Sequence, residues 1–157
     1  MDLTTVLVIV AAIAAIAFGF FLSRSIMSAS AGNDRMQEIA KAIQEGADAY
    51  LSRQYKTIGI VGILIAVALL IAFQGNYIIV VGFLLGAILS GAAGFIGMKV
   101  SVQANVRTTQ ASMTGGLAAG LDMAFKSGAV TGLLVVGLAL LGTAGYYAIL
   151  TSGMGYD

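Results

Sequence analysis

Apolar and polar positions along this chain fall into long blocks. Four runs, Leu3–Leu22, Thr57–Phe73, Tyr77–Met98 and Ala129–Leu150, carry almost no charge. Each is about 17–22 residues long, the length at which a helix crosses a hydrocarbon core of about 30 Å. A different pattern precedes the second run. Met36, Ile39, Ala40, Ile43, Ala47, Tyr50 and Leu51 recur at helical spacing, with Glu38, Lys41, Glu45, Asp48 and Arg53 mainly on the other faces. No breaker separates that stretch from the apolar run, so Asp34–Phe73 is expected as one helix. Its roughly 40 residues would rise about 60 Å, twice the hydrocarbon thickness. About half of it would therefore stand clear of the membrane. Asp34 with Gln37 three residues later is expected to cap its start.

The link Gln74-Gly75-Asn76 is too short for anything but an antiparallel return. In the run that follows, Gly82, Gly86, Ser90 and Gly94 stand four apart, with Gly91 and Gly97 beside them. Such a small-residue stripe lets a second helix approach closely in lipid, and one helix–helix seam is the expectation. A glycine path for a permeating ion is the weaker alternative. Beyond Met98 the polar residues Lys99, Ser101, Gln103, Asn105, Arg107, Thr108 and Gln110 are expected to prolong the third helix as far as Gly115-Gly116. A short segment, Leu117–Lys126, then sets Leu117, Leu121 and Phe125 on one face, and Gly128 and Gly132 open the fourth run. No repeat and no domain boundary appears. The expected fold is an all-α membrane protein with four transmembrane helices, residues 1–157 forming a single transmembrane helical region.

Charge orients this arrangement. The eight Lys and Arg residues lie only in 23–56 (Arg24, Arg35, Lys41, Arg53, Lys56) and 99–128 (Lys99, Arg107, Lys126). The positive-inside rule puts both segments in the cytoplasm, as long helix extensions, and the N-terminus outside. Apolar residues make up 59% of the chain and charged ones 10%, against about 25% charged in a soluble domain. The net charge of +1 gives no basis for nucleic-acid binding. With no Cys and no His, thiol chemistry, disulfides and the commonest transition-metal sites are excluded. With no Pro, proline-broken helices of the transporter type are not indicated. The first run could be read as a signal peptide, since Ser28-Ala29-Ser30-Ala31 has the look of a cleavage site. Its acidic start and length of about 20 residues favour a retained span.

Asp, Glu, Lys, Arg and His inside a membrane are the default functional candidates, and the four runs contain none. A proton or sodium ion has no carboxylate to ride on here, which argues against an autonomous pump or a small exporter subunit. Glu38, Glu45 and Asp48 are the carboxylates to weigh as a Mg²⁺ or phosphate site. Lys41, Arg53 and Lys56 interleave with them at ion-pair spacing, so a solvated, salt-bridged face is expected. Arg53 and Lys56, where the helix enters the bilayer, are expected to contact lipid headgroups. No residue of the chain is assigned as catalytic, cofactor-binding or metal-binding.

The wording of the sequence adds a resemblance. Residues 38–58, EIAKAIQEGADAYLSRQYKTI, closely resemble the start of the membrane-bound, ion-pumping inorganic pyrophosphatases. So do GFIGMKVSV at 94–102, ANVRT at 104–108 and AFKSGAVTG at 124–132. The resemblance runs over nearly the whole chain from about residue 34. It implies a homodimeric enzyme several times longer than this chain, with about sixteen transmembrane helices in two concentric rings. Such enzymes hydrolyse Mg²⁺-bound pyrophosphate and export H⁺ or Na⁺. The implied cofactors are Mg²⁺ and, in potassium-dependent pumps, K⁺. The implied partners are the lipid bilayer, the remainder of the same polypeptide, a homodimer partner and the substrate pyrophosphate. The motifs that hold Mg-pyrophosphate lie later in such proteins, so these residues would be a fragment, its first four helices belonging to the outer ring. The implied location is a multi-pass position in a prokaryotic plasma membrane. The alternative is a non-enzymatic four-helix membrane assembly or accessory protein.

Overall fold

A computed structural model describes residues 2–153 and 155. The first helix, α1, spans Leu3–Ser28. Asp2 caps it, its carboxylate accepting the Thr5 N–H at 3.0 Å and also the Thr5 hydroxyl. Those two bonds, the hydroxyl's first, hold the Asp2 carboxyl below its ordinary range. Thr5, Ala12, Gly19 and Ile26 are its buried residues, each seven from the last. A seven-residue repeat keeps one narrow stripe against a neighbouring helix. Ile16, Leu22 and Met27 pack partly against the core, while Leu7, Phe18, Phe20 and Phe21 face outward.

The second helix, α2, spans Asp34–Ala72, 39 residues, or about 58 Å at 1.5 Å per residue. The single long helix expected from the sequence is present, but its cap is not the Asp34/Gln37 pair. Asn33 is the cap, its side chain accepting the Met36 N–H at 3.0 Å, and Gln37 reaches back to the Gly32 carbonyl at 2.9 Å. With positive φ at Gly32 the chain turns sharply there, which puts the cap one residue ahead of the acidic one. At the other end Gln74 (φ 54°) and Gly75 (φ 84°) are both left-handed. The Gly75 N–H returns to the Leu70 carbonyl at 2.8 Å, the six-to-one bond that closes a helix. Asn76 at once caps the next helix by accepting from the Ile78 N–H. The three-residue link therefore reverses the chain.

The third helix, α3, spans Tyr77–Ala148 and is broken at one residue, Gly116, with φ 74° and ψ −171°. Only glycine adopts that backbone readily. The two arms, 77–115 and 117–148, fold back on each other. The Tyr146 hydroxyl donates to the Ile78 carbonyl, Gly142 faces Leu89, Gly97 faces Thr131 and Gly120 faces Ser112. These pairs nest around Gly116, as the arms of an antiparallel hairpin must. The second arm runs from Leu117 through Gly128 and Gly132 without interruption and ends in a wider π-type turn, Ile149–Gly153.

α3 is the hub of the molecule. α1 packs antiparallel on its second arm, Gly19 against Leu133 and Gly137 against Ile16 and Ala12, and reaches the first arm where Arg107 bonds the Met27 carbonyl at 3.3 Å. α2 packs antiparallel on the first arm. No pair of residues from α1 and α2 comes within 8 Å at Cα among the described residues. The core, Ile26, Ala93, Val100, Ala104, Val130 and Leu134, is small. Most large apolar side chains point away from it, as Ile60, Ile63 and Leu64 do, each 64% exposed. α1, α2 and α3 are each long and apolar enough to cross a membrane. In lipid an outward Ile is no penalty, so backbone approach at small residues decides the packing.

Candidate functional site

The stripe at Gly82, Gly86, Ser90 and Gly94 is the best-defined surface in the sequence, and the structure divides it. Gly82 receives the Tyr146 ring, whose Cε1 lies 2.9 Å from where a Cβ would be. Gly91 and Gly94 receive Tyr55 from α2, at 3.5 and 3.3 Å from such a Cβ. The Tyr55 hydroxyl donates to the Gly91 carbonyl at 2.5 Å, and its ring meets Phe95 edge-on with centroids 5.7 Å apart. Gly97 faces Thr131 on the second arm. The glycines do form helix–helix contacts, and they serve two different neighbours. Successive members of an i, i+4 stripe drift around a helix of 3.6 residues per turn, so α2 and the second arm each take part of it.

Between these seats the stripe is open. Gly86 has nothing within 4 Å of a would-be Cβ. It lines, with Leu89, Ser90, Ala139, Gly142 and Thr143, a groove of about 520 Å³ between the two arms of α3. The groove is mostly apolar, and no Asp, Glu, Lys or Arg lines it.

The polar ends of the helices gather at one end of the molecule, where Lys99 meets Asp48 at 3.3 Å. Lys99 also lies 5.2 Å over the Phe95 ring. Arg35 pairs with Glu38 at 2.7 Å and Lys126 with Asp122 at 2.6 Å. The expected pairing of Lys41, Arg53 and Lys56 with the α2 carboxylates is not what forms. Among the described residues those three cations make no ion pair, because Asp48 turns to α3 and Glu38 to Arg35. The Thr57 hydroxyl instead bonds the Arg53 carbonyl at 3.2 Å. Glu45 stands exposed on α2. No three Asp or Glu side chains converge among the described residues. A Mg²⁺ ion needs several oxygens at one point, and with Glu38, Asp48 and Asp122 each beside a cation, these residues do not fit one.

Sequence reasoning missed Tyr55, Tyr146 and Arg107. The tyrosines fill the glycine gaps and bond helix carbonyls across helices. Arg107 ties α1 to α3, donating to the Met27 carbonyl and, at 2.7 Å, to the Gln103 carbonyl. A tyrosine one helix away from a glycine stripe was the available signal, although nothing in the sequence says which ring meets which gap.

The family model described as inorganic H⁺ pyrophosphatase matches residues 13–156. This chain belongs to that family. It is 50% identical over 139 residues to a K⁺-insensitive pyrophosphate-energized proton pump of Methanosarcina mazei, which covers 88% of this chain and 21% of the relative. It is 38% identical over 150 residues to a putative K⁺-stimulated pyrophosphate-energized sodium pump of Bacteroides thetaiotaomicron, covering 93% of this chain and 20% of the relative. A second K⁺-insensitive proton pump, of Moorella thermoacetica, is 42% identical over 137 residues, 87% of this chain and 20% of its own. The chain thus spans about a fifth of the length of the curated relatives it matches. The relatives include both proton and sodium pumps.

Proposed function

We propose that these residues are the outer-ring opening of a membrane pyrophosphatase that couples hydrolysis of Mg-pyrophosphate to export of H⁺ or Na⁺. In this reading the segment is structural. The observation that carries it is the absence of Asp, Glu, Lys, Arg and His from the apolar runs (and, among the described residues, of convergent carboxylates from the polar ends) in a chain of this family. The α3 hairpin then supplies two crossings, giving four with α1 and α2, and the end holding Lys99 and Asp48 faces the cytoplasm. The polypeptide sits as a homodimer, multi-pass, in a prokaryotic plasma membrane. Mg²⁺, when bound by residues outside this segment, supplies charge neutralisation for attack of water on pyrophosphate. What the residues here contribute is a rigid frame: the tyrosine-filled glycine gaps and the Asp48–Lys99 pair fix the cytoplasmic helix ends beside that chemistry.

The test is carried out on the intact protein in sealed vesicles. Pyrophosphate should drive ion uptake, and Glu45→Gln should retain most hydrolysis, since Glu45 is exposed and converges with no other carboxylate. Loss of hydrolysis in a normally assembled Glu45→Gln protein would put Glu45 in the catalytic site. A wild-type protein without pyrophosphate-driven uptake or hydrolysis would leave a non-enzymatic membrane assembly.

A further inference from the structure

Leu117, Leu121 and Phe125, near the tip of the α3 hairpin, are 86%, 67% and 75% exposed. Spaced four apart, they share one face of the second arm. Another face of the same stretch is already in use: Gly120 is buried facing Ser112, Ser127 is buried, and Met123 packs on the core. Beside the row, Asp122 and Lys126 pair at 2.6 Å, so a polar strip borders an apolar one. In the runs that cross lipid an outward apolar side chain is no penalty, but this row lies outside them. Leu117, Leu121 and Phe125 precede the start of the fourth run at Ala129 by about 18, 12 and 6 Å along the helix. The headgroup layer is only about 5–8 Å deep, so Leu117 and Leu121 stand beyond it in water. A contiguous apolar strip in water with a polar border marks an interaction surface.

We propose that this row docks a helix from the part of the polypeptide beyond residue 157, one that presents an apolar face to it outside the membrane. Leu117, Leu121 and Phe125 form an i, i+4 ridge of the kind that fits the groove of a second helix, and the small Ala118 and Ala124 beside them allow close approach. Area favours this occupant over a second copy of the chain. Even at about 250 Å² per side chain, the upper figure for an aromatic, three side chains stay below the roughly 800 Å² per partner of a stable interface. A tethered segment needs less, because attachment gives it a high effective concentration. Length favours it as well, since these residues span about a fifth of their relatives. The proposal rests on the reading that these residues open a longer polypeptide. Pyrophosphate-driven uptake tests that reading, whereas the contact is measured without turnover, so either can fail alone.

The experiment uses the intact, otherwise cysteine-free protein in nanodiscs, where both membrane faces are open to reagent. Leu121→Cys and Met113→Cys are labelled in parallel with a soluble maleimide. Within these residues the two positions are almost equally exposed, 67% and 68%, so a difference in rate reports what the rest of the polypeptide covers. Leu121→Cys should react about tenfold more slowly, since it is reached only while the contact is open. Equal rates overturn the proposal. A second measurement identifies the occupant, with photoreactive p-benzoylphenylalanine in place of Leu121 and the adduct mapped by peptide mass spectrometry. Cross-linking to a peptide beyond residue 157 of the same chain is the expected result. Capture of a second chain, of lipid, of residues 1–157 or of nothing overturns the proposal.

Discussion

Two tyrosines and a few glycines hold the helices at their closest approaches. Tyr55 reaches the Gly91 carbonyl from α2, a bond whose loss costs about 0.5–1.5 kcal/mol. Tyr55→Phe in the intact protein should lower the thermal midpoint measurably, whereas Tyr50→Phe, 56% exposed and with no side-chain hydrogen bond among the described residues, should not. Equal midpoints would remove Tyr55 from the packing. Gly137 sits close against the backbone of α1. A Cβ there would stand 2.7 Å from Ile16 Cγ1, 3.0 Å from the Ala12 carbonyl and 3.3 Å from the Ile16 nitrogen. Ile16 can turn its side chain, but the backbone of α1 can only back away. Gly137→Ala is therefore expected to destabilise by about 1–3 kcal/mol, the usual range for overpacking. Gly46→Ala, with nothing within 4 Å, should be neutral or stabilising by up to about 1 kcal/mol. Parallel heating of the two variants checks this, and a Gly137→Ala protein as stable as wild type would refute the α1 docking. At this scale the sequence disclosed the small residues but not their partners. Asn33 displaced Asp34 as cap because the turn at Gly32 decides where the helix starts.

The helices were legible as lengths. Apolar blocks, the absence of Pro and the QGN link at 74–76 set where they run and where one reversal must occur. The Gly115-Gly116 pair was equally visible as the end of the third helix, and Gly116 is where α3 breaks. Its φ of 74° with ψ −171° lies in a region that costs a residue with a Cβ about 1–3 kcal/mol. Gly116→Ala should therefore lower the yield of folded intact protein and its thermal midpoint. Gly132→Ala, with nothing within 4 Å of where its Cβ would stand, serves as the comparison. Matching midpoints for the two would mean the hairpin does not depend on that backbone conformation. The segment Leu117–Lys126 and the fourth apolar run form one continuous arm, because a glycine with helical dihedrals interrupts nothing.

For the molecule as a whole, both polar segments lie at one end of the bundle, as charge alone required if the chain crosses four times. Cysteine labelling reads this directly, since the chain has no Cys. In an otherwise cysteine-free intact protein, Asn76→Cys at the α2–α3 turn should react with an impermeant maleimide added to whole cells. Met113→Cys, at an exposed position near Gly116, should react only after permeabilisation. Labelling of both from one side would rule out α3 as a two-crossing hairpin. The apolar faces left outside, including the groove at Gly86 and the exposed row of Leu117, Leu121 and Phe125 at the hairpin tip, fit a chain that is about a fifth of the length of its relatives.

The sequence by itself determined the membrane class, the helical content, the reversal at 74–76, the break at Gly116 and the family. Each of these follows from local composition or from the wording of a contiguous stretch. Tertiary structure alone decided which ring fills which glycine gap, that Asp48 pairs with Lys99 rather than with a cation of its own helix, and that Arg107 joins α1 to α3. Those outcomes depend on how each helix is rotated about its axis. In a soluble protein the hydrophobic stripe fixes that rotation, but in lipid every face of an apolar helix is equally acceptable, so close packing at small residues has to set it.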